Sequence, residues 1–426
     1  MNTTANRDPE KTLVIVDGVR TPFLKMGGDF GTIDATEQGR AVVQTLLLRT
    51  GIDPALVDEL IFGCVSQPAD AANLARVIAL RAGLPETVPA MTVHRNCASG
   101  LEALTVAADR LTAGRGEIFV VGGTENMSRI PLFFSLVAAA KFAALSRAKS
   151  AGGKAAAAFG FRPADFAPIV GLKLGLTDPV SGLNMGATAE LLAREFAISR
   201  EAQDEFALQS HLKAAAAREA LAREIVPVYL PGSKAGFVNR DNGIREGQTM
   251  EALGRLAPVF ERPTGTVTAG NSSQISDGAV ALLVMSEKRA GDLGLEPLGR
   301  LVDFAWSGCD PKRMGLGPAF AIRDLHKRTG LRPDDADLVE VNEAFAAQVL
   351  AVLKILRSPS FDGLAIPEDR LNPQGGAIAL GHPVGATGAR LVLTALKQLK
   401  ASGGRRALVS LCIGGGQGGA AWLETH

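Results

Sequence analysis

The chain carries one plan twice, and that repeat limits the possible folds more than any other feature. Residues 12–16 and 60–63 read as strands. A helix opens at Cys97, with Leu101, Leu104, Ala108 and Leu111 on one face, and the strand 118–121 follows and ends in Gly122 and Gly123. The last third runs in the same order. Residues 300–304 and 338–341 read as strands, and a helix after Gly385 carries Val392, Leu396 and Leu399 along one stripe. The strand 407–411 then leads to Gly414, Gly415 and Gly416. Apolar strand-like runs alternate with helical periodicity, which predicts an α/β fold with mostly parallel sheets. Cys97 in one copy and the segment after His382 in the other both sit where a strand hands over to a helix. Two copies packed about a pseudo-twofold axis bring those ends together.

Residues 129–256 differ in character, being richer in charge and in helical pattern. Within them Ser199 caps a helix whose first turn holds Ala202 and Gln203. The chain returns to the first copy near Leu256, through 265–271 and a strand at 279–284. The predicted units are 10–128 plus 257–292, an inserted 129–256, and 293–426. A length of 426 residues with 46% hydrophobic content supports a large core and two or three domains. The net charge of +1 offers nothing to nucleic acid. Residues 1–12 are polar and charged and do not read as a secretory signal. No apolar run is long and uncharged enough to span a bilayer. The four cysteines are widely spaced without a CxxC pair. That predicts neither a metal site nor a disulfide framework, and it fits a reducing, cytoplasmic compartment.

Four distant segments carry groups able to make or break a carbon–carbon bond beside a thioester. Cys97 stands ahead of the small residues Ala98, Ser99 and Gly100, at a helix start whose free amides and dipole favour a thiolate nucleophile. The alternative is a buried packing cysteine. His382 lies between Gly381 and Pro383, framed as a base for that thiol; His94 is the competing base, while His211, His326 and His426 have no supporting context. Cys412 closes a strand and offers a second thiol able to give and take back a proton. The glycines after it match GxGxxG, but only seven residues follow, too few for a dinucleotide unit. Their backbone amides suit an oxyanion instead. Asn342 could hold a water against a developing enolate oxygen, or cap the helix entered through Ala344 and Phe345. Cys64 and Cys309 read as packing residues, although Cys64 ends a strand that could face the site.

These segments together, in this order, resemble the thiolase family over nearly the whole chain. The resemblance implies duplicated βαβαβαββ halves in a five-layered αβαβα core, with a helical loop domain over the site. It also implies that Cys97 is acylated, His382 activates it and Cys412 is the second acid and base. Asn342 and His382 would form one oxyanion hole through a water, and the amides of Cys97 and Gly414 the other. Ser273 matches a position contacting the pantetheine arm of coenzyme A; Met185, with Phe345 nearby, matches the acyl pocket. The implied activity is an acetyl-CoA C-acyltransferase, cleaving 3-ketoacyl-CoA with coenzyme A as co-substrate in fatty-acid β-oxidation. It needs no bound cofactor or metal. The alternative is an acetyl-CoA C-acetyltransferase handling acetoacetyl-CoA; a non-catalytic lipid-binding or scaffold protein of this fold is the remote one. Cys412 argues against a decarboxylating condensing enzyme, which would carry histidine or asparagine there. Asn184, where short-chain biosynthetic members carry histidine, leans towards the degradative role. A homodimer or homotetramer is implied. The insertion 129–180, with Lys141, Arg147, Lys149, Lys154 and Lys173, resembles that of β-subunits in the β-oxidation complex. It could meet a membrane surface or a hydratase/dehydrogenase α-subunit; the alternative is a solvated helical lid. Those β-subunits commonly carry histidine where this chain has Asn342, so the likeness is partial.

Overall fold

The computed structural model describes residues 8–231 and 236–425. Residues 1–7 and His426, considered above, lie outside the described residues. The first copy supplies strands β1 (Leu13–Arg20), β2 (Glu59–Gly63), β3 (Ala90–Val93), β4 (Ile118–Glu125) and β5 (Ser276–Ser286). Its helices are α1 (Ala35–Thr50), α2 (Leu74–Ala82) and α3 (Ser99–Thr112). Between β4 and β5 the chain leaves the sheet and forms α4 (Leu136–Arg147), α5 (Ala151–Phe159), α6 (Met185–Glu195) and α7 (Arg200–Ala216). The second copy has strands β6 (Gly299–Gly308), β7 (Leu338–Val341), β8 (Arg406–Ile413) and β9 (Gln417–Glu424). Its helices are α8 (Gly317–Thr329), α9 (Ala346–Leu356) and α10 (Val384–Ser402).

The strand order is β7-β8-β9-β6-β1-β5-β4-β2-β3, with the short pair Leu24–Lys25 added against β5. The two copies match step by step. β1–β5 and β5–β4 are antiparallel, β4–β2 and β2–β3 parallel. β6–β9 and β9–β8 are antiparallel, β8–β7 parallel. A single parallel bridge from Val339 to Leu371 stands where the second copy's outermost strand would be. The halves join through two residue pairs, Val14 with Arg300 and Ile15 with Gly299. The sheet is thus mixed rather than mostly parallel, because each copy ends in an antiparallel return strand.

Three apolar clusters build five layers. One outer cluster joins Val42, Val43 and Leu46 of α1 and Ile78 of α2 to Phe62 and Leu283. The other joins Ile322 and Leu325 of α8 and Val349 and Val352 of α9 to Leu408 and Trp422. Between the sheets, Leu101 and Leu104 of α3 meet Leu391, Val392 and Leu396 of α10, with Val121, Leu282, Val409 and Leu423 above and below. Burial of this order, at ~25 cal/mol per Å² of apolar surface, is the main stabilising force. Helix α10 lies at the centre, so its buried residues cover all sides and not only the predicted stripe.

Two strand boundaries differ from the sequence reading. β4 continues through Gly122 and Gly123 to Glu125, because those glycines admit neighbouring backbone. A Cβ on Gly123 would stand 2.0 Å from the Gly385 carbonyl oxygen, at the start of α10. After β8 only Gly414, Gly415 and Gly416 form a turn; Gly418 and Gly419 already belong to the antiparallel β9. Gly415 and Gly416 have φ of 88° and 83°, a region that favours glycine. Substituting Gly123→Ala should cost about 1–3 kcal/mol through overpacking. Urea unfolding should show a lower midpoint with an unchanged slope; an unaltered midpoint would mean that α10 can retreat freely.

The insertion 129–180 packs around its own aromatic group. Phe142 lies 5.1 Å from Phe134 and 4.8 Å from Phe161, and Phe161 stacks on Phe166 at 5.4 Å. Lys141 pairs with Asp165 at 2.6 Å. The outward faces are apolar as well as basic: Leu136 is 89% and Phe159 91% exposed. Among the described residues no helix is long and apolar enough to cross a membrane.

Candidate active site

The duplication sets the site. Cys97 precedes α3 by two residues and His382 precedes α10 by two residues, so the pair occupies equivalent positions in the two copies. A cavity of about 490 Å³ is lined by Cys97, His382 and Cys412, and also by Ser273, Met185 and Phe345. Gly414 and Asn342 stand next to it.

The turn holding Cys97 is clasped to the turn after β8. Asn96, at φ 44°, donates from Nδ2 to the Gly414 carbonyl at 2.7 Å. Arg95 pairs with Glu102 at 2.6 Å and lies 4.4 Å over the Trp306 ring. This clasp aims the peptide of Gly414 at the Cys97 sulfur. Burial pushes the Cys97 thiol up, and hydrogen bonds from the N–H groups of Gly414 and of Cys97 itself pull it down. Burial wins, so the resting group is a thiol. The helix effect expected from sequence is weaker, because α3 starts at Ser99 and Cys97 stands outside its first turn.

His382 is buried and its pKa is lowered to about 3, first by burial and then by the Arg390 charge. The ring is neutral at pH 7. The Thr387 hydroxyl donates to the Pro383 carbonyl at 3.0 Å, so its oxygen accepts from His382 Nδ1–H at 2.7 Å. Nε2 is therefore the unprotonated nitrogen, free to act as a base. Thr387 escaped the sequence reading; a hydroxyl one helical turn beyond the histidine was the available signal. Asn342 Nδ2 stands 3.5 Å from Nε2, and among the described residues its Oδ1 has no hydrogen-bond partner. The helix after it starts at Ala346 with Phe345 in the cap position, so Asn342 is not a cap.

Cys412 is buried with Met314, Ala344 and Phe345 around it. Burial holds its thiol well above the ordinary range, and the neighbouring Cys97 raises it further. A protonated Cys412 is a donor. Asn184 caps α6 by accepting from the Ala187 N–H at 2.9 Å, which places Met185 in the first turn at the cavity wall. Lys25 and Arg245 also line the cavity, two cations that sequence alone did not single out. Burial and the Arg245 charge lower the Lys25 pKa. His94 is exposed, and its Nδ1 faces the Asn96 N–H at 3.4 Å. His211 accepts the Arg245 N–H at 3.2 Å, and His326 contacts the Leu331 carbonyl at 2.9 Å. Cys64 is buried beside Glu125, and Cys309 is partly buried with its thiol pushed up to about 11.

Models of the thiolase N-terminal domain and the thiolase C-terminal domain match residues 13–288 and 295–425. The chain belongs to the thiolase family. This thiolase is 41% identical over 418 residues to a Cupriavidus necator protein named acetyl-CoA acetyltransferase, covering 97% of this chain and 99% of that one. It is 41% identical over 419 residues to a Staphylococcus aureus protein named probable acetyl-CoA acyltransferase, covering 97% and 99%. Among solved structures, the Bacillus anthracis acetyl-CoA acetyltransferase superposes with a TM-score of 0.87 at 38% identity, covering 97% and 99%. Human mitochondrial 3-ketoacyl-CoA thiolase in complex with CoA gives 0.85 at 36% identity, covering 99% of this thiolase and 100% of the human chain.

Proposed function

We propose that this thiolase cleaves 3-ketoacyl-CoA with coenzyme A, releasing acetyl-CoA and a shortened acyl-CoA, as a degradative β-oxidation enzyme. The observation that carries the reading is one cavity lined by two thiols and a neutral imidazole from opposite copies of the fold. The sulfur of Cys97 loses its proton to His382 Nε2 and attacks the 3-keto carbon. The amides of Cys97 and Gly414 receive the charge on one substrate oxygen; Asn342 and His382 serve the other. Donors of this kind are each worth roughly 3–4 kcal/mol. The C2–C3 bond breaks, its electron pair passes to the enolate of acetyl-CoA, and the Cys412 S–H protonates that carbon. The Cys412 thiolate then takes the proton of an incoming CoA thiol, whose sulfur accepts the acyl group; the thioester bond to Cys97 breaks, and the departing Cys97 thiolate recovers its proton from His382. Lys25 and Arg245, which pair with no acid among the described residues, stand at the cavity wall and suit the phosphates of coenzyme A.

The same groups run in reverse, so formation of acetoacetyl-CoA is the second reading, favoured by the names of two of the relatives. A series of 3-ketoacyl-CoA substrates from four carbons upward separates the two. We expect kcat/KM to be sustained beyond the four-carbon substrate. Activity confined to four carbons would defeat the degradative reading. We also expect a dimer or a dimer of dimers, to be read by light scattering.

A further inference from the structure

Glu125 ends β4 with its carboxylate fully buried, yet among the described residues no cation pairs with it. Its partners are backbone N–H groups from both copies of the fold. Oε2 accepts from Gly385 at 3.0 Å and from Val65 at 3.0 Å, and Oε1 accepts from Ser66 at 2.8 Å. The Cys64 thiol adds a contact at 3.9 Å. A buried carboxylate is costly unless hydrogen bonds satisfy it, and this one has its bonds at a junction. Gly385 is the second residue of α10, where helix N–H groups lack partners within the helix and a negative charge is favourable. The same first turn carries Thr387, which fixes the His382 ring. On the other side, the turn 64–66 is tied to β3 through Cys64 N–H to the Val93 carbonyl at 3.3 Å, and β3 leads directly to Cys97. A Cβ on Gly385 would stand 2.8 Å from Glu125 Oε2, so the contact leaves no slack.

We propose that Glu125 is a positioning residue of this site, clamping the first turn behind His382 onto the turn and strand that lead to Cys97. The inference rests on the roles given to Cys97 and His382 under the proposed function. It carries an electrostatic consequence. Burial raises the Glu125 carboxyl to about 7, so it titrates within the assay range. The titratable groups that act with it are Cys64, Cys97 and Asp277, the last held by Ser128; α10 meets the carboxylate with the Gly385 N–H, while its buried Arg390 acts on His382. When ionised, Glu125 opposes the Cys97 thiolate. Alkylation of Cys97 should therefore rise less steeply with pH above about 7 than a lone thiol would.

The test measures iodoacetamide labelling of Cys97 against pH by mass spectrometry, together with kcat and KM, on the full chain. Glu125→Gln removes the charge and leaves an amide facing N–H donors. We expect the break near pH 7 to vanish and kcat to fall roughly tenfold or more, with KM within about twofold. Glu125→Asp keeps the charge but loses reach, so the break should persist while kcat falls. Wild-type kcat in Glu125→Asp overturns the proposal, as does an unchanged labelling profile in Glu125→Gln. If the Gln variant does not fold, the Asp variant decides. Labelling needs no acyl-CoA, so a wild type unable to cleave 3-ketoacyl-CoA would sink the proposed function and leave the labelling comparison standing.

Discussion

Replacing Cys97→Ala should lower the rate of 3-ketoacyl-CoA cleavage by about four orders of magnitude or more while the protein still folds. Removing a nucleophile that forms a covalent intermediate leaves only binding and oxyanion donors, and such losses are typically this large. Cys97 lines the cavity and is not part of an apolar core cluster, so deleting its sulfur opens little new void. Thermal unfolding should therefore shift by little. The decisive measurement is mass spectrometry after incubation with an acyl-CoA: the wild type gains an acyl group at Cys97 and the variant gains none. Retention of more than about a hundredth of the activity would exclude the acyl-enzyme route.

The second large effect concerns stability. Arg20→Met should destabilise the fold by about 3–5 kcal/mol, because it strips the partner from two buried carboxylates. Arg20 is fully buried, donates to Glu224 at 2.9 Å, and forks onto Asp241 at 2.7 and 2.8 Å. Asp241 also accepts the Phe23 N–H at 2.7 Å, and Glu224 accepts the Thr394 hydroxyl at 3.1 Å. This network fastens the segment between β4 and β5 to β1 and to α10. Urea unfolding measures the cost. A loss below about 1 kcal/mol would show that Glu224 and Asp241 find other hydrogen-bond partners at little expense.

Much of this arrangement was legible in the chain. The repeated order of strands and helices gave the duplication, since side-chain periodicity is a local property. Ser199 announced the start of α7, because an N-cap needs only a hydroxyl and the next few amides. The glycines misled in two places. Gly122 and Gly123 look like a strand end, and Gly418 and Gly419 fall in the glycine run read as amides for an oxyanion. In each case the glycine answers to a distant neighbour: Val280 and Gly385 in the first, Gly317 and Trp306 in the second. Asn342 looked like a possible cap, and only the position of His382 shows where its amide points. Glu125, Lys25 and Arg245 gave no local signal, and Thr387 gave only a hydroxyl one turn beyond His382. Their significance lies in what lies across from them.

The residues alone determined which reagents this protein owns and the order in which the chain delivers them: two thiols, an imidazole, an amide and a glycine turn. That follows because reactivity type belongs to a side chain and periodicity to its immediate neighbours. Tertiary structure alone decided that the two thiols and the imidazole line one cavity, with the amide and the glycine turn beside it. It also decided that His382 rests neutral with Nε2 free, and that both thiols rest protonated. Proximity across the two copies and removal from water are products of packing, and a one-dimensional string carries neither.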